Sequence, residues 1–199
     1  MQKPYAESAE QNKDVILAVL RQEFQSASTV LEIGSGTGQH AVFFARHLPH
    51  LQWHSSERSE NISGIRLWQQ EAGLANLHDP VTLDVDDTLW PLAEVDAIFS
   101  ANTAHIMSEA TALNMLSGAA RVLTMGGRFC LYGPFLYNGQ HTSDSNVRFD
   151  AWLKARDPLS GVRDVEDLRR HARSVGLELI RDHAMPANNR ILVWEKSVK

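Results

Sequence analysis

Apolar side chains at Val15, Ile16, Val19, Leu20 and Phe24 recur at helical spacing and predict a helix over Glu10–Phe24. Thr29-Val-Leu-Glu-Ile-Gly34 is a short β-rich run that stops in a glycine loop. Helical spacing returns from Gln39 to Leu48, with Pro49 as a stop. The alternation continues with a strand over Leu51–Ser56 and a helix over Glu60–Ala72 ended by Gly73. Strands over Pro80–Val85 and Val95–Ser100 come next, then a helix over Glu109–Leu123 closed by Gly126-Gly127. Arg128–Tyr132 reads as the following strand. Such alternation builds a mostly parallel sheet with helices on both faces, and ligands bind such sheets at the C-terminal strand ends.

The rhythm breaks between residues 133 and 163, a polar, glycine-containing stretch with one short helix expected over Asn146–Ala155. A connection this long between core elements suggests a functional lid or a disordered loop. A final helix over Val165–Val175 stops at Gly176. Two last strands, Leu177–Asp182 and Ile191–Glu195, flank Met185-Pro-Ala-Asn-Asn189 and read as a terminal antiparallel pair. The pattern predicts one domain over residues 1–199, with the lid at 133–163.

Composition adds little to this picture but closes some doors. The 199 residues suffice to bury a core without metal or disulfide staples. Cys130 is the single cysteine, and its apolar neighbours suggest a buried thiol. Residues 1–14 hold no signal-peptide apolar core, and no run approaches the ~18 apolar residues of a membrane span. The expectation is a cytoplasmic protein, monomeric or homodimeric. A net charge of −5 gives no footprint for a phosphate backbone, so no nucleic-acid partner is expected. His47, His50 and His54 lack cysteine partners and a shared helical face, and predict no metal site.

The strongest chemical signal is Val30-Leu-Glu-Ile-Gly-Ser-Gly-Thr-Gly38. Glycines at 34, 36 and 38 let the backbone turn off a strand and approach a ligand closely. The next helix then presents free N–H groups to the same spot. A dinucleotide fingerprint needs G-x-G-x-x-G, whereas this loop is G-x-G-x-G with Gln39 at the third glycine position.

Glu32-Ile-Gly-Ser-Gly-Thr-Gly38 resembles the first motif of class I methyltransferases that use S-adenosylmethionine. The resemblance implies a Rossmann-like α/β fold with a seven-stranded mostly parallel sheet. It implies that Gly34, Ser35, Gly36 and Gly38 line the methionine end of the cofactor, with Glu32 ordering the loop. Glu57, after the second strand, falls where an acidic side chain accepts the ribose hydroxyls. Asp84, followed by Val85, resembles the position that contacts adenine. Asp86 and Asp87 lie close enough to leave the choice within that cluster open.

A second resemblance covers almost the whole chain. Ala9-Glu-Gln-Asn-Lys-Asp14, Asn102-Thr-Ala-His105, Tyr132-Gly-Pro-Phe135, Ser145-Asn146, Phe149-Asp150 and Met185-Pro-Ala-Asn-Asn189 are similar to the methyltransferase-like protein 26 family. The departure is Ser56-Glu57-Arg58, where that family more often has aspartate. The resemblance supplies no substrate.

Methyl transfer from an activated donor requires alignment and exclusion of water, and a base only if the attacking atom must lose a proton. Asn102 and His105 follow the fourth strand, where the sulfonium is expected. His105 reads either as a base or as a helix-entry histidine bonded to backbone. Tyr132, Tyr137, His141 and Asn146 stand at the fifth strand end and lid, and Tyr5 and Asn12 in the N-terminal helix region. Asn188 and Asn189 are candidates for the far wall, although a turn is the ordinary home of such a pair. In sum the residues predict a methyltransferase with a small-molecule acceptor. A non-catalytic module that binds S-adenosylmethionine or S-adenosylhomocysteine is the alternative. Glycine spacing weighs against a nicotinamide oxidoreductase. Acidic charge, and the lack of an Asn-Pro-Pro-aromatic run at Asn102, weigh against a nucleic-acid methyltransferase.

Overall fold

The computed structural model describes residues 3–197. Its first half runs α1 (Glu7–Glu23), β1 (Thr29–Ile33), α2 (Gln39–His47), β2 (Gln52–Glu57), α3 (Ile62–Ala72), β3 (Leu77–Thr82) and β4 (Val95–Ala101). There follow α4 (Glu109–Val122), β5 (Leu123–Gly133), β6 (Phe135–Tyr137), β7 (Gln140–His141) and α5 (Asp144–Arg156). The chain ends with β8 (Arg163–Asp164), α6 (Val165–Ser174), β9 (Leu177–Met185) and β10 (Asn189–Lys196).

Seven strands form a Rossmann-like sheet in the order β3-β2-β1-β4-β5-β10-β9. Strands β1 to β5 pair in parallel, and β10 inserts antiparallel between β5 and β9. Side chains alternate across this sheet, so each strand feeds two cores. Leu31, Ile98, Phe129 and Leu192 pack with Met115 and Leu116 of α4 and Leu168 of α6. Val30, Phe99, Cys130 and Val193 pack with Ile16 and Leu20 of α1 and Phe44 of α2. Burial on both faces explains the near-continuous apolar strands. Strand order reverses between β1 and β4, and the loops leaving these strands open a crevice there. No helix among the described residues is long and apolar enough to cross a membrane.

Three expected elements are corrected. The strand expected over Pro80–Val85 runs instead from Leu77 to Thr82. It is the sheet edge, where a proline need not break a ladder, and its pairing with β2 slips between His54 and Ser56. Asp84 therefore lies in the turn after the strand. Strand β5 begins before Gly126-Gly127: Val95 pairs with Leu123 and Ala97 with Arg128, so residues 124–127 bulge out of an otherwise continuous pairing.

The stretch 133–163 is no structureless loop. Strands β7-β6-β8 form a small sheet, and Ser143 Oγ accepts the Asn146 amide at 3.2 Å to start α5 earlier than expected. Arg163 fixes the end of this segment to the loop after β4, donating to the carbonyls of Ala104 (3.1 Å) and Met107 (2.5 Å). On the opposite side, Trp68 Nε1 donates to the Pro4 carbonyl at 2.7 Å and draws residues 3–6 over α3.

Candidate functional site

The three glycines after β1 do different work. Gly34 has φ +70, and a Cβ there would stand 2.5 Å from Thr103 Cγ2. Gly38 has φ +91 and would press on Ile65 of α3 at 3.0 Å. Gly36 has φ +56, and a Cβ there would meet nothing within 4 Å. Two glycines thus permit close packing, and the third faces open space. The loop is tied to β2: Ser35 N donates to the Ser56 carbonyl at 2.9 Å, and Gly36 N to Glu57 Oε2 at 2.9 Å.

Glu32 lies beneath the loop, 2% exposed, and accepts Trp53 Nε1 at 2.9 Å. Burial pushes its carboxyl up to about 7, against the hydrogen bonds from Trp53 and Ser35. It braces β1 against β2 beneath the loop.

A cavity of about 450 Å³ opens above the loop, within the ~300–1,000 Å³ typical of small-molecule sites. Gly34, Gly36, Glu57, Asp84, Val85 and Asn102 are on its wall. A second cavity of about 430 Å³ lies between α1, the β5 end, α5 and the β9–β10 turn. Asn102 borders both. It follows β4 at φ +59, and its amide donates to the Tyr132 carbonyl at 2.9 Å. Asparagine tolerates this left-handed conformation better than most residues.

Asn12, Tyr132, Asn146, Phe149 and Asn189 line the second cavity. His40 Nε2 meets Asn12 Oδ1 at 2.7 Å, and Asn12 shares the cavity wall with Tyr132. Burial raises the Tyr132 pKa and lowers that of His40 to about 4. Asn146, 5% exposed, spends its Nδ2 on Thr142 Oγ1 (3.0 Å) and the Asn188 carbonyl (3.1 Å).

Several candidates stand elsewhere. His105 is 6% exposed, lines neither cavity and packs edge-on behind Phe149, with ring centroids 5.1 Å apart. Burial, and then the Arg163 charge, lower its pKa to about 4. Tyr137 donates to Asp182 at 2.6 Å, and His141 Nε2 lies 3.5 Å from Asp150, both outside the cavities. Tyr5 is exposed and contacts Glu7. Asn188 stands behind Asn146 as its backbone acceptor. These five side chains lie outside the walls of the two cavities, behind them or at the surface.

The model of the family described as "Protein of unknown function (DUF938)" matches residues 3–196. The chain belongs to this family. Among solved structures, an O-methyltransferase family protein from Burkholderia thailandensis superposes with a TM-score of 0.84 at 15% identity. That match covers 96% of this chain and 56% of the other. The mitomycin 7-O-methyltransferase MmcR gives 0.82 at 18% identity, covering 96% and 54%. The S-adenosylmethionine-dependent methyltransferase SibL, in its apo form, gives 0.80 at 22%, covering 96% and 56%. This DUF938 chain thus has the fold of class I methyltransferases and spans about half the length of these structures.

The DUF938 site also has walls that sequence reasoning missed. Thr103, Ile106 and Met107 complete the first cavity, and Pro186 and Ala187 the second. Ala187 and Asn188 hold φ +56 and +57, a left-handed turn that Asn-Asn after proline signals only in part.

Proposed function

We propose that this DUF938 protein is an S-adenosylmethionine-dependent methyltransferase acting on a small molecule. The carrying observation is two cavities of similar size meeting at Asn102. The residues fit the cofactor: an open glycine backbone at Gly36, a carboxylate at Glu57, and Asp84 beside the apolar Val85 share one wall. When bound, S-adenosylmethionine supplies a methyl group already activated on a positive sulfur. Glu57 holds the ribose hydroxyls, and Asp84 and Val85 take the adenine end. Ser35 and Gly38 shape the loop. Glu32 holds its strand in place.

Asn102 orients groups from both cavities. Tyr132 and Asn12 orient the acceptor, residues 133–163 exclude water as a lid, and His105 keeps Phe149 in place. The O-methyltransferases among the solved structures support oxygen as the attacking atom. A non-catalytic binding module would need no second cavity beside the first, and the acceptor-side cavity favours the enzyme. The test is incubation with methyl-labelled S-adenosylmethionine and a metabolite extract. Label is expected in the small-molecule fraction, and its absence in a protein that binds the cofactor would favour the binding module.

A further inference from the structure

Among the described residues, the wall of the second cavity carries no charged side chain. Its polar groups are amides, hydroxyls and one phenol, and its flat apolar surfaces come from Phe149, Pro134 and Pro186. The first cavity contrasts with it, presenting Glu57, Arg58, Asp84 and Asp86. Near the second cavity, Asp150 and Arg190 are already matched. Asp150 accepts Lys154 Nζ at 2.7 Å and the Val162 amide at 2.8 Å, and Arg190 donates to Asp182 at 2.7 Å. His40 behind Asn12 is held neutral. A ligand charge would be desolvated there without a counter-charge, which weakens binding.

Two fixed hydrogen-bond positions remain. Asn146 has its Nδ2 occupied, and among the described residues its Oδ1 accepts nothing, so the cavity offers a buried acceptor. The Tyr132 hydroxyl shares this wall with Asn12, whose Oδ1 lies 2.7 Å from His40 Nε2, and is a second polar position. Resting on the reading of the neighbouring cavity as the cofactor side, we infer that the methyl acceptor is an uncharged, flat molecule. It offers an O–H or N–H to Asn146 Oδ1 and a hydrogen-bonding group to the Tyr132 hydroxyl.

The test is calorimetric titration with three catechols that differ in charge: 3,4-dihydroxybenzamide, 3,4-dihydroxybenzoate and 3,4-dihydroxybenzylamine. Each is run on the protein alone and on the protein saturated with S-adenosylhomocysteine. The neutral amide is expected to bind at least tenfold tighter than either ion, and Tyr132→Phe to weaken it about tenfold, as loss of one buried hydrogen bond does. Equal or tighter binding of the carboxylate or the ammonium, or no binding of any of the three, would overturn the inference. Failure of S-adenosylhomocysteine to bind, with the charge order retained on the protein alone, overturns only the cofactor reading.

Discussion

Glu57 Oε2 accepts the Gly36 amide hydrogen at 2.9 Å, tying the glycine loop after β1 to the end of β2. Its other oxygen accepts the Arg58 amide at 2.9 Å. The carboxylate is thereby fixed on the wall of the first cavity, next to the one glycine of this loop whose Cβ position is open. A ligand carrying paired hydroxyls would meet an acceptor already oriented, which lowers the ordering cost of binding.

Gly36→Val should therefore remove cofactor binding while leaving the fold. The new side chain enters the cavity, and a left-handed valine adds roughly 1–2 kcal/mol of strain. Calorimetry with S-adenosylhomocysteine should show at least a hundredfold loss. Gly34→Ala should act through stability, because its Cβ would stand 2.5 Å from Thr103 Cγ2. Thermal melts separate the two. Retained affinity in Gly36→Val would contradict the loop's role.

Asn102→Gly removes the side chain shared by both cavities and keeps the backbone at ease at φ +59. The melting temperature should hold, while turnover falls roughly tenfold or more, as loss of an orienting contact does. Asn102→Ala should add about 1 kcal/mol of destabilisation from the same left-handed φ. Unchanged turnover in the glycine variant would remove Asn102 from the site.

Tyr137→Phe should cost stability and spare binding. The hydroxyl donates to Asp182 at 2.6 Å, and Asp182 also holds Arg190, so its loss weakens the β9–β10 junction by about 1–2 kcal/mol. Urea unfolding should register this, with affinity for S-adenosylhomocysteine within about twofold of the parent. A binding defect without a stability defect would return Tyr137 to the cavity wall.

Stability should pass through a maximum near neutral pH. His40 and His105 are held at about 4 in the fold against 6.5 unfolded. The unfolded chain therefore gains their protons first on acidification. Their contribution is full above pH 6.5 and is lost towards pH 4, roughly 3 kcal/mol for each. Glu32 works in the opposite sense. Its pKa, raised from 4.5 to about 7, favours the fold below pH 4.5, and that contribution is lost as pH rises through 7. Two histidines outweigh one glutamate, so stability should rise between pH 4.5 and 6.5 and decline gently above. In Glu32→Gln the decline should vanish, and urea midpoints at pH 8 should exceed the parent's. A parent whose stability falls on going from pH 4.5 to 6.5 would contradict the burial of both imidazoles.

Much of the sheet was legible in the sequence because its strands are buried on both faces and each helix carries its own start or stop. Leu31, Ile98 and Leu131 reveal their strands in this way. Strand β3 was displaced because Pro80 reads as a strand beginning, and only the edge position explains a proline inside. The order of 133–163 was hidden because it depends on Arg163 reaching the carbonyls of Ala104 and Met107, a contact without periodicity. Glu57 and Gly36 were legible as a motif with fixed spacing. The positions of His105 and Tyr137 were not, since residue type and proximity to a strand end cannot distinguish a wall from the layer behind it. Asn146 and Asn12 reached the wall through Ser143 and His40, partners that the sequence does not pair.

The central claim is tested most directly by parallel calorimetric titration of the purified protein with S-adenosylmethionine, S-adenosylhomocysteine and NAD. The expected result is micromolar binding of both adenosyl compounds and no heat with NAD. No binding of either adenosyl compound to a folded sample, or binding of NAD alone, would contradict the account.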